Sequence, residues 1–192
     1  ADAEPPHGGI SALVAAREVV RAIGPRMPIV DEAIVTSSLV RRFLDSDSPR
    51  QYSFLRGGAL GWGMPAAVGC SLGIGREPVA CLVGDGAALY SPQALWTAAH
   101  EKLPVLFVVM NNRQYDVLKA FMRSQPQYVS PRRNRYIAMD LVDPAIDYLA
   151  LAASMGVPAA RATHAREIGP LIEAAAQSAG PALVEIAIAS KG

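Results

Sequence analysis

Residues 79–86 (VACLVGDG) and 105–112 (VLFVVMNN) indicate the fold of this chain most clearly. Each stretch begins with a short apolar run rich in β-branched residues and ends in polar residues. Such runs are too short for a helix and are typical of buried strands in a parallel sheet. Ligands bind outside the carboxyl ends of the strands in open α/β sheets, so we expect Asp85 and Asn112 to meet at one edge.

The residues at these strand ends suit a phosphate group bridged by a divalent cation. Gly84 and Gly86 flank Asp85, and glycines let a backbone approach a bound group closely and expose its N–H donors. Mg²⁺ takes one or two protein oxygens and completes its octahedron with phosphate and water oxygens. An alternative interpretation gives these residues local roles only, with Asp85 capping the next helix and Asn111 and Asn112 forming a turn.

Short apolar runs alternate with helical patterns along the whole chain. This alternation predicts an α/β fold, a doubly wound and mainly parallel sheet of about six strands with helices on both faces. We expect the crevice at the switch point to lie at the ends that carry Asp85 and Asn112. Asp31 and Glu32, at the end of the first strand, are candidates for positioning a cofactor or for a carboxylate at a helix N-terminus. Helices are predicted at residues 10–23, 36–44, 65–73, 91–102, 113–122, 143–155 and 165–179.

Composition sets limits on the class of protein. The chain has 192 residues, of which 51% are hydrophobic, and a net charge of +1, so one globular core is expected and nucleic-acid binding is not. No apolar run is long enough for a membrane span. Cys70 and Cys81 are expected to be small buried hydrophobes, which suits the cytoplasm. Residues 1–9 have the composition of a linker remnant, and residues 10–192 are expected to be one domain of a longer enzyme.

Several motifs, in their order along the chain, resemble the thiamine diphosphate enzymes of the decarboxylase group. The sequence GDG at residues 84–86 is followed by NN at residues 111–112, and the glycine-rich segment at residues 56–69 (RGGALGWGMPAAVG) precedes both. Residues 90–99 (YSPQALWTAA) are most similar to benzoylformate decarboxylase and its near relatives. The resemblance extends from about Ile29 to the C-terminus.

This resemblance implies the fold, cofactors and site residues of the C-terminal, diphosphate-binding domain of those enzymes. Mg²⁺ is implied at Asp85, Asn112 and the backbone carbonyl of Gln114, so the side-chain identity of Gln114 should matter little. The backbone of Gly58 and Leu60 would contact the aminopyrimidine ring, and the Leu60 side chain would support the bent cofactor. The remaining residues implied to bind thiamine diphosphate are Gly84, Gly86, Ala87, Tyr115 and Asp116. Phe54, Val117 and Phe121 correspond to positions that line the substrate pocket, with ordinary core packing as the alternative.

The implied activity is the non-oxidative decarboxylation of a small 2-oxo acid through a thiazolium ylide. In these enzymes the glutamate that activates the aminopyrimidine comes from a separate pyrimidine-binding domain, usually of another subunit. We therefore expect no catalytic residue in this chain, no turnover by the chain alone, and assembly into a homodimer or homotetramer.

Other identities remain open at this stage. Residues 113–116 (RQYD) and the arginine-bearing segment from Ser124 depart from the benzoylformate decarboxylase pattern, which leaves an acetolactate synthase-like enzyme, an oxalyl-CoA decarboxylase-like enzyme or the cofactor-binding subunit of a two-chain decarboxylase. A nucleotide-binding Rossmann domain would need a glycine fingerprint after the first strand, where Asp31 and Glu32 stand instead. A purely structural oligomerisation module is the third class considered.

Overall fold

The computed structural model describes residues 9–54 and 56–189, so residues 1–8 of the predicted linker (residues 1–9) lie outside the described residues. The strands are β1 (Ile29–Glu32), β2 (Tyr52–Phe54), β3 (Val79–Gly84), β4 (Val105–Asn111), β5 (Ala159–Ala162) and β6 (Ala182–Ala187). Within the described ranges they form one sheet in the order β2-β1-β3-β4-β6-β5, and every neighbouring pair is parallel. The predicted six-stranded parallel sheet is confirmed.

Helices cover both faces of this sheet. They are α1 (Ala12–Ile23), α2 (Ser37–Arg41), α3 (Gly63–Gly73), α4 (Asp85–Ala88), α5 (Gln93–His100), α6 (Asp116–Arg123), α7 (Val129–Arg132), α8 (Tyr148–Ser154) and α9 (Ala165–Ala176). Helices α1, α2 and α9 pack on one face, and helices α3, α5 and α8 pack on the other. No helix of the described ranges is both long and apolar enough to cross a membrane.

The two central strands, β3 and β4, are buried on both sides. Leu82 and Val108 belong to the core on the α1 face, and Val83 and Phe107 belong to the core on the α3 face. A strand covered on both faces needs apolar residues at successive positions, which explains why these two runs lack alternation. Cys81 lies fully buried in β3 and forms no disulfide, as predicted.

The winding of the sheet differs in one respect from the prediction. Strand β2 lies outside β1 at one edge, whereas β3 and β4 follow on the other side of β1. The direction of winding therefore reverses between β1 and β3 and not between β3 and β4. Strand order cannot be predicted from local sequence patterns, because these patterns do not specify the side of β1 on which β2 pairs.

Two predicted helices begin later than expected. Residues 113–115 form a turn with Arg113 at φ +58°, and α6 begins only at Asp116. Helix α8 begins at Tyr148 and not at residue 143, because the Asp147 side chain caps it by accepting hydrogen bonds from the backbone N–H groups of the next turn. Because both helices begin later, the irregular segments that precede α6 and α8 are longer than predicted.

Candidate functional site

A cleft of about 220 Å³ opens at the carboxyl ends of β1, β3 and β4. The two strand ends that the sequence predicted to meet do line this one cleft. Of the predicted site residues, those that line it are Leu60, Gly84, Asp85, Gly86, Ala87, Asn112, Gln114, Tyr115, Asp116 and Val117. Three predicted residues, Phe54, Gly58 and Phe121, are not among its lining residues. The structure thus brings together the implied metal and diphosphate ligands.

Asp85 is the most unusual side chain in this cleft. It follows β3 directly and is only 5% exposed. One carboxylate oxygen, Oδ1, accepts a hydrogen bond from the backbone N–H of Gly86 at 2.9 Å. The other oxygen, Oδ2, is buried and has no hydrogen-bond partner in the part of the chain that the structure describes. Burial raises the pKa of Asp85 to about 6, although the backbone N–H groups of Gly86, Arg113 and Gln114 act in the opposite direction.

The second side of the site is the turn after β4. Asn111 Oδ1 accepts a hydrogen bond from the N–H of Arg113 at 2.9 Å, and Asn112 Oδ1 accepts from the N–H of Gln114 at 3.2 Å. The local turn considered as an alternative is therefore present. It does not exclude a ligand role, because an amide oxygen has two lone pairs and Asn112 uses one of them here.

The donor set fits Mg²⁺ accompanied by a phosphate. Asp85 offers a free carboxylate oxygen, Asn112 offers an amide oxygen, and Gln114 offers a backbone carbonyl, all of them hard ligands. Among the described residues there is no group of three or more His, Cys, Asp or Glu side chains that could hold a metal. A cation at this cleft would therefore complete its coordination with oxygens from the bound ligand and water, as Mg²⁺ does with nucleotide phosphates.

The two glycines that flank Asp85 differ in what surrounds them. A Cβ atom at Gly86 would lie 2.4 Å from Cε1 of Tyr115, so any larger residue at this position would force the Tyr115 ring to shift. A Cβ atom at Gly84 would meet no atom of residues 9–54 and 56–189 within 4 Å, which leaves open space at that side of the cleft. The close approach inferred for Gly86 from the sequence is made by an aromatic ring of the chain itself.

The side chain of Gln114 has a role that the sequence did not reveal. Its Oε1 accepts a hydrogen bond from Lys119 Nζ at 2.7 Å, and Lys119 also forms an ion pair with Asp140 at 2.5 Å. Residues 139–141 run beside residues 113–115 and exchange backbone hydrogen bonds with them. Lys119, which is only 7% exposed, therefore joins the turn of the site to the following irregular segment.

Glu32 fixes the glycine-rich segment at the other end of the cleft. It is 1% exposed, and its two carboxylate oxygens accept hydrogen bonds from the backbone N–H groups of Gly61 and Gly63. Asp31 turns away from the cleft and accepts a hydrogen bond from the hydroxyl of Tyr52. Of the two carboxylates at the end of β1, Glu32 is the one that lines the cleft.

Phe54, Val117 and Phe121 are exposed, so the core-packing alternative is wrong for all three. Their exposed fractions are 40%, 42% and 56%. Val117 lines the cleft, whereas Phe54 lies at the end of β2 with the guanidinium groups of Arg41 and Arg56 over its ring. Their contact with a substrate stays a prediction.

Sequence reasoning missed two residues behind the cleft. Glu185, on β6, is 3% exposed and accepts hydrogen bonds from Asn111 and Arg161. Tyr148, on α8, donates a hydrogen bond from its hydroxyl to the backbone carbonyl of Asp85 at 2.9 Å. A glutamate inside an apolar strand (ALVEIA) is a detectable signal, whereas nothing near Tyr148 in the sequence points to Asp85.

Comparison with known proteins agrees with this geometry. Residues 34–186 match the family model of the thiamine pyrophosphate enzyme, C-terminal TPP binding domain. A Mycobacterium tuberculosis protein provisionally named acetolactate synthase large subunit IlvX is 34% identical over 185 residues, which are 96% of this chain and 36% of that protein. Benzoylformate decarboxylase of Pseudomonas aeruginosa is 32% identical over 170 residues, which are 88% of this chain and 31% of that enzyme.

A solved structure gives the same result. The thiamine diphosphate-dependent 4-hydroxybenzoylformate decarboxylase of Rhodococcus jostii RHA1 superposes with a TM-score of 0.87 at 28% identity, covering 100% of this chain and 35% of that one. The chain thus spans about a third of the length of these relatives. The chain belongs to the thiamine pyrophosphate enzymes, and it corresponds to their C-terminal TPP binding domain.

Proposed function

We propose that this chain holds the diphosphate and Mg²⁺ of thiamine diphosphate in an enzyme that decarboxylates a 2-oxo acid, of the benzoylformate decarboxylase type. The observation that carries the proposal is the buried Oδ2 of Asp85, which has no hydrogen-bond partner among the described residues and lies in the cleft that Asp85 shares with Asn112. A buried carboxylate oxygen without a partner is costly in free energy. A cation bound between the two strand ends would remove that cost and would place a pyrophosphate against the open side at Gly84.

The residues of this chain bind and orient, while the cofactor supplies the reactive group. Thiamine diphosphate, when bound, offers a thiazolium ring that accepts the electron pair left by departing carbon dioxide. Asp85, Asn112 and the carbonyl of Gln114 would hold the cation. Leu60 and Tyr115 also line the cleft and would restrict the position of the cofactor.

A pyrimidine-binding domain, from another subunit of a homodimer or homotetramer, is the partner that we propose. The chain spans about a third of its relatives, which leaves room for such a domain elsewhere in those proteins. Helix α6 begins at the cleft and carries exposed Val117, Leu118 and Phe121. An apolar surface that continues from a ligand cleft is typical of an interface that closes over the ligand.

Carboligation of the acetolactate synthase type is the second candidate. The relative at 34% identity over 96% of this chain carries an acetolactate synthase name, whereas the decarboxylases match at 32% and 28%. Both reactions use the same cation and diphosphate site, so the cleft described above does not distinguish them. The products do distinguish them.

Calorimetry tests the cation site. Thiamine diphosphate is titrated, with and without Mg²⁺, into this chain alone and into the enzyme in which it is joined to its pyrimidine-binding domain. We expect Mg²⁺-dependent binding in the enzyme, weak or no binding by the chain alone, and loss of binding in Asp85→Ala. Asp47→Ala, which changes an exposed carboxylate in a distant loop, is the matched control. Equal affinity of Asp85→Ala and the unchanged enzyme would show that the metal assignment is wrong.

Product analysis on the same enzyme tests the reaction. Benzoylformate and pyruvate are supplied separately, and released carbon dioxide, aldehyde and acetolactate are measured. We expect aldehyde and carbon dioxide from benzoylformate and no turnover by the isolated chain. Acetolactate from pyruvate as the main product would favour the second candidate, and turnover by the isolated chain would contradict the need for a partner domain.

A further inference from the structure

Glu185 does not line the cation cleft, yet its side chain is held in one place by two strong contacts. Its Oε1 accepts a hydrogen bond from Asn111 Nδ2 at 2.7 Å, and its Oε2 accepts from Arg161 Nε at 2.8 Å. A carboxylate can only accept, so Asn111 must direct its NH₂ group towards Glu185. The orientation of the Asn111 amide is therefore fixed, with its oxygen directed the other way.

That oxygen holds the turn of the proposed cation site. Asn111 Oδ1 accepts a hydrogen bond from the backbone N–H of Arg113, which has a φ of +58°. A positive φ is unfavourable for a residue with a side chain, so this turn needs contacts that stabilise it. Asn112 and Gln114, the two proposed ligands on this side, immediately precede and follow Arg113. Any rotation of the Arg113 peptide would move both.

The Asp85 side of the site is also held by contacts outside the cleft. Tyr148, 1% exposed on α8, donates a hydrogen bond to the backbone carbonyl of Asp85 at 2.9 Å. Asp147 caps the same helix and lies 3.8 Å from Arg161, which is paired in turn with Glu185. These side chains thus join the Asp85 side to the Asn111 side by a route that does not pass through the cation cleft.

We propose that Glu185 is a positioning residue for the cation site, and that it acts through the Asn111 amide to hold the turn of Asn112 and Gln114 at the correct distance from Asp85. This inference rests on the cation site proposed above. Its direct consequence, a turn held by a charge-specific contact, can be measured without metal or cofactor.

An exchange of the two polar groups provides the test. In Asn111→Asp, two carboxylates face each other and the bond to Glu185 is lost. In Glu185→Gln, one amide faces two donors, Asn111 and Arg161, and can accept from only one of them in good geometry. The double variant restores the pattern with donor and acceptor exchanged, because the new amide can donate to the new carboxylate and accept from Arg161, while the N–H of Arg113 keeps its acceptor.

Amide hydrogen exchange of Arg113 and Gln114, measured by NMR on the metal-free chain, gives the first result. We expect each single variant to exchange these two amides about tenfold faster, the effect of roughly one lost hydrogen bond, and the double variant to return to the original rate. A residue that serves packing alone would give effects that add in the double variant, and that outcome would overturn the proposal. If Asn111→Asp does not fold, Glu185→Gln alone decides, because an unchanged exchange rate at Arg113 also overturns it.

The Mg²⁺ concentration at half-saturation of thiamine diphosphate binding, measured by calorimetry on the enzyme with its pyrimidine-binding domain, gives the second result. We expect it to rise about tenfold in each single variant and to recover in the double variant, in proportion to the exchange rates. If the single variants change the amide exchange rates but not the Mg²⁺ concentration at half-saturation, the proposed link between Glu185 and the cation is overturned. If the unchanged enzyme binds no cofactor, the proposed function fails, and the exchange experiment still decides whether Glu185 holds the turn.

Discussion

Replacing Asp85 by Asn should stabilise the metal-free chain while removing the proposed cation site. The Asp85 carboxylate is buried, its Oδ2 has no partner among the described residues, and burial raises its pKa from 3.8 to about 6. A neutral amide of the same shape keeps the hydrogen bond that Oδ1 accepts from Gly86 and removes the buried charge. The unfolded chain ionises freely, so the charge opposes folding wherever the pH exceeds the unfolded pKa.

The sign and size follow from the two pKa values. The folded pKa lies above the unfolded one, so the native protein binds the extra proton and its stability falls as the pH rises from about 4 to about 7. At 1.36 kcal/mol per pKa unit the full difference is about 3 kcal/mol, reached near pH 7, with about half of it at pH 5. Asp85→Asn lacks this loss. Its free energy of unfolding should therefore exceed that of the unchanged chain by about 3 kcal/mol at pH 7 and by well under 1 kcal/mol at pH 4.

Urea denaturation of both chains at pH 4, 5, 6 and 7, in the presence of EDTA, measures this difference. Asp31→Asn is the matched control, because Asp31 is as deeply buried but accepts hydrogen bonds from Ala33, Ser37 and Tyr52. The amide would keep the oxygen that accepts from Ala33 and Ser37, but it would lose the charge and the acceptor of the Tyr52 hydroxyl, so the variant should destabilise the chain by about 1–3 kcal/mol. A difference for Asp85→Asn that is absent at pH 7, or that does not grow between pH 4 and pH 7, would refute the assignment of Asp85 as a buried carboxylate whose charge opposes folding.

Two further predictions concern the walls of the cleft. Gly86→Ala should destabilise the chain by about 1–3 kcal/mol in urea denaturation, because its Cβ would lie 2.4 Å from the Tyr115 ring, whereas Gly84→Ala has open space and should cost under about 1 kcal/mol. Equal losses for the two would contradict the ring contact. Phe121→Asp, at an exposed position on α6, should leave thermal unfolding of the chain unchanged and weaken association with the pyrimidine-binding domain in sedimentation experiments. Full association of this variant would show that α6 is not part of the interface.

The sequence was sufficient for the parts of the molecule that depend on local patterns. The apolar runs that became β3 and β4 had to be buried strands, and their polar ends had to lie at one edge because all neighbouring strands are parallel. Leu60 and Tyr115, placed at the site by family resemblance, line the same cleft.

What the sequence could not give depends on contacts between distant residues. Glu32 holds Gly61 and Gly63 across 29 and 31 positions, and Tyr148 reaches Asp85 across 63 positions. The apolar spacing from Tyr115 onwards predicts a helix that begins at residue 113, but Arg113 adopts a positive φ and residues 113–115 pair with residues 139–141. No periodic pattern in the sequence indicates that residues 113–115 pair with residues 139–141.

Three unfavourable features of the metal-free chain lie where a ligand or partner would be bound. Oδ2 of the buried Asp85 has no hydrogen-bond partner among the described residues, Arg113 is held at a positive φ, and Val117 and Phe121 are exposed on α6. A cation would compensate the first, the Asn111–Glu185 contact stabilises the second, and an adjoining domain would cover the third. A ligand or partner that binds the folded chain and not the unfolded chain stabilises the folded chain by mass action. A cation that compensates the charge of Asp85 would therefore recover the free energy that this carboxylate costs in the metal-free chain.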